Sequence, residues 1–193
     1  MGGASCHWWG AFSSATLYQT GMRINRDEIL RFNDRYDAAV KGTPDELTEA
    51  EMLSWFAQNK YLDREHLIEL GRWKSQRALK QYLSEINSDE RVKELTSFSL
   101  VSEDEFIRIM CPQLLKGVSW GVASVILHFA YPSQYMIIDF RPIWSLGWEL
   151  PKFYTFDYWM KYIRHVRSLA EETGVSLRQL DKALWQYSKE NQK

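Results

Sequence analysis

A chain of 193 residues suits one domain or two closely packed lobes. Hydrophobic residues make up 45% and aromatics 15%, nine of them Trp, which supports a sizeable core and excludes a disordered chain. The formal net charge of −1 excludes a global basic field, although residues 114–193 carry an excess of Lys and Arg while residues 1–113 are net acidic.

The opening "MGGASCHWWG" reads as part of an N-terminal arm over 1–25, some of it tag-like, with no signal peptide before residue 25. Helix punctuation then becomes dense. "TPDELTEAEMLSWF" (43–56) opens with Thr-Pro and first-turn acids that suit the helix dipole, and Leu47, Met52, Leu53 and Phe56 are expected on one face. "DREHLIELGRWKSQRALKQYL" (63–83) repeats the pattern through Leu67, Leu70, Leu79 and Leu83, with Gly71 expected to bend or end its first helix. "SEDEFIRIM" (102–110) fits a capping box of Ser102 and Glu105, and "SLRQLDKALWQY" (176–187) fits another of Ser176 and Gln179. The latter carries an apolar stripe of Leu177, Leu180 and Leu184. Links such as "GTP", "YPSQY" and "ETG" are short, and "YMIID" (135–139) is the one plausible extended piece. The expected fold class is all-α, one helical domain over 26–193.

Cys6 and Cys111 are too few for an iron–sulfur cluster, a zinc site or a disulfide framework. His7, His66, His128 and His165 are scattered without metal-ligand spacing, so neither metal nor cofactor is expected. No apolar run reaches the roughly 18 residues of a membrane span. The reading is a soluble, cytoplasmic monomer.

Chemistry concentrates in "LLKGVSWGVASVILHFAYPSQYMIIDF" (114–140). Two helices are expected over 104–131 around a turn at Gly117, where a Cβ would clash, with Val118 plugging the turn onto both. The first amides of the second helix can seat an anion; by spacing alone this reading and a plain helix–helix corner weigh equally. Val122, Val125, Ile126 and Phe129 bury the second helix, and Ala123 permits close packing. Pro132 ends it, a loop over 132–140 returns the chain, and Asp139 is placed to cap a helix starting at Phe140, with Pro142 tolerated in its first turn.

These residues resemble the signature of the helix-hairpin-helix DNA glycosylases, the superfamily of endonuclease III and the adenine and alkyl-purine glycosylases. Its pattern is L-P-G-V-G-x-K-x-A, a helix, a Pro-containing loop, an aliphatic pair and an Asp. "LKGVSWGVA" and "SVILHFAYPSQYMIID" follow it without a gap. The flanks agree only in being helical, and "GRWKSQR" resembles relatives of the superfamily without suggesting chemistry. The resemblance implies a two-lobed helical fold, double-stranded DNA with a damaged base as partner, and Asp139 as the catalytic carboxylate. It also implies backbone-phosphate contacts at Lys116, Gly117, Val118, Ser119 and Gly121, with Arg141 as a further phosphate ligand.

Three departures carry consequences. Ser119 replaces the second hairpin glycine, Lys116 replaces the proline, and Gly121 stands where lyase members carry lysine. With no amine at that position, the resemblance implies a monofunctional enzyme that uses water. A carboxylate near C1′ stabilises the oxocarbenium-like sugar and orients the water. An extruded base needs aromatic contacts, for which Trp120, Trp144 and Tyr154 are candidates, with Trp148, Tyr158 and Trp159 nearby. Lys161, Arg164 and Arg167 form a basic strip. Two other readings stay open: a DNA-binding module without activity, and an all-α protein-interaction domain using the acidic half and "HWW".

Overall fold

The computed structural model describes residues 21–192, and every regular element among them is helical. Ten α-helices follow in order: α1 (Arg26–Val40), α2 (Pro44–Gln58), α3 (Arg64–Ser75), α4 (Leu79–Tyr82), α5 (Asp89–Val101), α6 (Glu105–Met110), α7 (Trp120–Ala130), α8 (Phe140–Ser145), α9 (Phe156–Thr173) and α10 (Leu177–Asn191). Short 3-10 turns at Gln76–Ala78 and Cys111–Leu114 join α3 to α4 and follow α6. The helices fall into two groups. α1, α8 and α9 pack on α10, while α2, α3, α5, α6 and α7 pack on one another. No described helix is long and apolar enough to cross a membrane.

Side-chain caps set most boundaries. Asn25, Asp63, Ser88, Thr155 and Ser176 each accept from a first-turn amide, and Ser176 with Gln179 forms the expected reciprocal box. The other expected box does not form. Asp104 caps α6 by accepting from Phe106 N at 2.7 Å and Ile107 N at 3.2 Å, and Ser102 Oγ accepts from Asp104 N instead. Glu105 is drawn away, because its carboxylate accepts from the Tyr135 hydroxyl at 2.6 Å.

The cores of the first helices also differ from the apolar pattern. In α2, Met52 and Phe56 are buried four residues apart, while Leu47 and Leu53 lie off that face and are exposed. α3 runs through Gly71 without a break. A Cβ there would stand 2.6 Å from the Tyr82 ring, so the glycine is what lets α4 close onto α3. Tyr82 fills the core that Leu83 was expected to fill, and Leu83 is exposed. The stripe of α10 is as read: Leu177, Leu180 and Leu184 are all buried.

Of the N-terminal arm, residues 1–20, including Cys6, His7 and the "HWW" stretch, lie outside the described residues. Gly21–Asn25 belong to the domain. Met22 is buried and its amide donates to Ser145 O at 2.6 Å, which ties the segment to α8.

"YMIID" is extended but pairs with no strand. Its polar groups are satisfied by side chains from both helix groups. Ser124 Oγ of α7 accepts from Ile138 N at 3.0 Å, and the Tyr162 hydroxyl of α9 donates to Ile137 O at 2.9 Å. His128 Nδ1 meets Tyr135 O at 2.8 Å. Tyr135, Met136, Ile137 and Ile138 are all buried, so the segment is a core thread between the two groups, and it delivers Asp139 at its end.

Candidate active site at Asp139

The turn before α7 is built as a close approach. Gly117 has φ +93°, and a Cβ on it would stand 2.9 Å from the Gln81 Cβ and the Tyr82 ring. Asn87 pins the turn from outside: its Oδ1 accepts from Lys116 N and its Nδ2 donates to Lys116 O, both at 2.9 Å. Val118 is buried, as a plug should be. Ser119 is the N-cap of α7 yet makes no side-chain cap bond, so the amides that open α7 are not closed off by a cap as those of α10 are. Lys116 and Ser119 are exposed beside them.

Asp139 caps α8, its Oδ1 accepting from Arg141 N at 3.3 Å. Its other oxygen is engaged by a residue from the opposite helix group: Lys74 of α3 donates its ammonium to Oδ2. The two side chains are 15% and 18% exposed. Gly121 belongs to the same cluster. A Cβ placed on it would lie 3.4 Å from Lys74 Cε and 3.6 Å from Ile138 O, so the start of α7, the thread into Asp139 and the Lys74 side chain converge on one spot.

Lys74 and Asp139 line a cavity of about 270 Å³ between α1, α3 and α10. Its aromatic wall is Tyr36, Trp73 and Trp185, three residues far apart in sequence. Its floor is ionic. Arg178 bonds Glu49 through two nitrogens at 2.6 and 2.9 Å and also pairs with Asp181, while Lys182 reaches Asp37 at 2.9 Å and Glu49 at 3.4 Å. Burial pushes the Asp181 carboxyl up to about 6 against the pull of Arg178. Burial also pushes on Glu49, but there the Arg178 hydrogen bonds win and hold it below its ordinary value.

The sequence-expected residues divide. Trp120 and Tyr154 come together in a separate, open recess with Leu150, Pro151, Lys152 and Phe153. Tyr154 nonetheless senses the site: burial, and then the charge of Asp139, push its hydroxyl up to about 12. Trp144 faces away and packs on Tyr187 of α10, ring centroids 5.9 Å apart. Arg141 lies over the Trp185 ring at 5.2 Å and reaches Ser188, so its guanidinium is directed to α10. In the basic strip, Arg167 is spent on Gln134 O and Lys161 sits over Trp148.

Lys74 is the residue that motif reading missed. A signal existed: with Leu67 and Leu70 buried in α3, position 74 falls one further turn along the same face, where a lysine has no solvent to explain it. Asp181 is the same kind of exception on the Leu177–Leu184 face of α10.

Comparison of the chain with protein-family models, with curated proteins and with solved structures gives no match. The site's own geometry therefore carries the functional argument.

Proposed function

We propose that the protein excises a damaged base from double-stranded DNA by cleaving the N-glycosidic bond, on a helix-hairpin-helix glycosylase-like fold, with Asp139 as the carboxylate facing C1′. The observation that carries this reading is the convergence of Asp139, the start of α7 and a cavity with aromatic walls on one spot. The opening amides of α7, with Lys116 alongside, suit a backbone phosphate of the substrate strand. Asp139 is fixed by its cap bond and so held for the positive charge that builds on the sugar. The cavity is smaller than the roughly 300–1,000 Å³ of drug-sized sites, which fits a single heteroaromatic ring system rather than a whole nucleotide.

A lesion-bearing oligonucleotide panel, treated with protein and then with alkali, tests the reading. Wild type is expected to leave abasic sites on at least one lesion, and Asp139→Asn to lower that rate by about 10³-fold while duplex binding persists. Binding to damaged duplex with no base released from any lesion sinks it.

One observation favours a DNA-binding module without activity. Both Asp139 oxygens are already engaged, one by Arg141 N and one by Lys74. On that reading the pair is a structural bridge between the helix groups, and Asp139→Asn leaves salt-dependent DNA binding unchanged.

A further inference from the structure

The loop between α8 and α9, residues 148–154, borders two open recesses. One adjoins Trp148 and Lys161, the other Trp120 and Tyr154, and Leu150 and Lys152 belong to both. Leu150 and Phe153 are 54% and 73% exposed, so this stretch presents contiguous apolar surface. Its two lysines stand over aromatic rings, Lys152 over Phe153 at 5.5 Å and Lys161 over Trp148 at 4.8 Å. Such a face suits an uncharged, aromatic-rich segment, which offers further rings to the ammonium groups and apolar area to Leu150 and Phe153.

The chain carries such a segment at the right place. Residues 1–20, which lie outside the described residues, contain no Asp, Glu, Lys or Arg in a chain that is 25% charged, and they include Trp8, Trp9, Phe12, Leu17 and Tyr18. They join the domain at Gly21, which is held beside this loop. A Cβ on Gly21 would stand 2.7 Å from Ser145 O and 2.8 Å from Gly147 N, so the approach requires glycine, and the next amide, of Met22, donates to Ser145 O at 2.6 Å. Leu150 follows Gly147 by three residues, at most about 11 Å of extended chain, and Leu17 precedes Gly21 by four, at most about 14 Å. Phe12, nine residues before Gly21, can lie up to about 32 Å away, enough to pass Phe153.

We infer that residues 8–18 fold back onto the 148–154 loop of the same chain and seat their apolar side chains in its two recesses. The loop is an intramolecular docking surface, and the Trp120 recess, beside the first turn of α7, is covered by the chain's own N-terminal segment. This docking stands whether or not the protein acts on DNA.

The test uses the full chain with Phe12 replaced by the photoreactive residue p-benzoylphenylalanine, which inserts into nearby C–H bonds on irradiation. The expected result is an internal cross-link that maps by peptide mass to residues 148–154, on protein that still runs as a single chain in a denaturing gel. Adding Leu150→Ser and Phe153→Ser, both at exposed positions, is expected to lower the yield about tenfold or more. Adding Leu47→Ser instead, at an exposed leucine on α2, is expected to leave the yield unchanged. A cross-link elsewhere in the chain, a yield indifferent to Leu150→Ser and Phe153→Ser, or no cross-link at all overturns the docking. A cross-link to 148–154 that joins two chains also overturns it and assigns the surface to a second copy. Mapping with the native loop does not depend on how well the double variant folds.

Discussion

Two ionic clusters bridge the two helix groups, and they are built to opposite ends. The Arg178 cluster is closed: a rigid guanidinium is shared by Glu49 and Asp181, and Lys182 links Glu49 to Asp37. Arg178, Glu49 and Lys182 each have two charged partners there. The Lys74–Asp139 cluster is open: one flexible amine meets one capped carboxylate beside Gly121 and a cavity. Burial is similar in the two, with Lys74 and Arg178 side chains 15% and 16% exposed. Exposure therefore does not separate the two clusters. The number and rigidity of the partners does.

The comparison can be broken by substitution. The largest expected contrast is at Asp139→Asn, which should remove activity at a smaller stability cost than loss of Arg178, because Asn retains helix-capping ability and only the partly exposed Lys74 loses its carboxylate. Arg178→Met removes the shared cation, leaving buried Asp181 without its partner and Glu49 with Lys182 alone, and is expected to cost about 3–5 kcal/mol in denaturant unfolding. Equal loss of stability from both substitutions would erase the distinction.

A smaller effect reads the buried surroundings of the Arg178 cluster. Burial, and then the charge of Arg178, push His128 down to about 4 from 6.5. Between those values the unfolded chain binds a proton that the native state does not, so stability from this group is full above pH 6.5 and is lost as pH falls towards 4. The loss amounts to about 3 kcal/mol. Asp181, raised to about 6, works in the opposite sense over the lower part of that range, because native protein then holds the extra proton. The difference between wild type and His128→Asn, followed by urea unfolding at pH 7 and pH 4, isolates the histidine. Parallel profiles would contradict its buried neutral state.

The smallest effect sharpens the open cluster. Gly121→Ala puts a methyl in ordinary contact with Lys74 Cε at 3.4 Å, and the helical position accepts alanine. Stability should rise by about 0.4–1 kcal/mol. Urea unfolding reads the gain, and a loss of stability instead would mean that the methyl does not fit beside Lys74.

Much of the helical scaffold was legible because caps and short-range periodicity are local. Ser176 with Gln179, Asp139 before Phe140, and the buried Leu stripe of α10 all follow from neighbours within a turn or two. Where local signals competed, tertiary contacts chose. Asp104 took the cap of α6 once Glu105 was bound to Tyr135, and Gly71 stayed inside α3 because Tyr82 needed its missing Cβ. The aromatic wall was illegible for the same reason: Tyr36, Trp73 and Trp185 share a cavity only after α1, α3 and α10 meet, while Trp144, close to Asp139 in sequence, turns towards Tyr187.

The sequence by itself determined that this chain is helical, that Gly117 makes a tight corner, and that a carboxylate follows a buried apolar thread, since each depends on backbone sterics and contacts a few residues long. Only the tertiary structure decided that the carboxylate faces an amine and a cavity. Lys74 and Asp139 lie in different helix groups, and their meeting is set by packing, which no short-range pattern encodes.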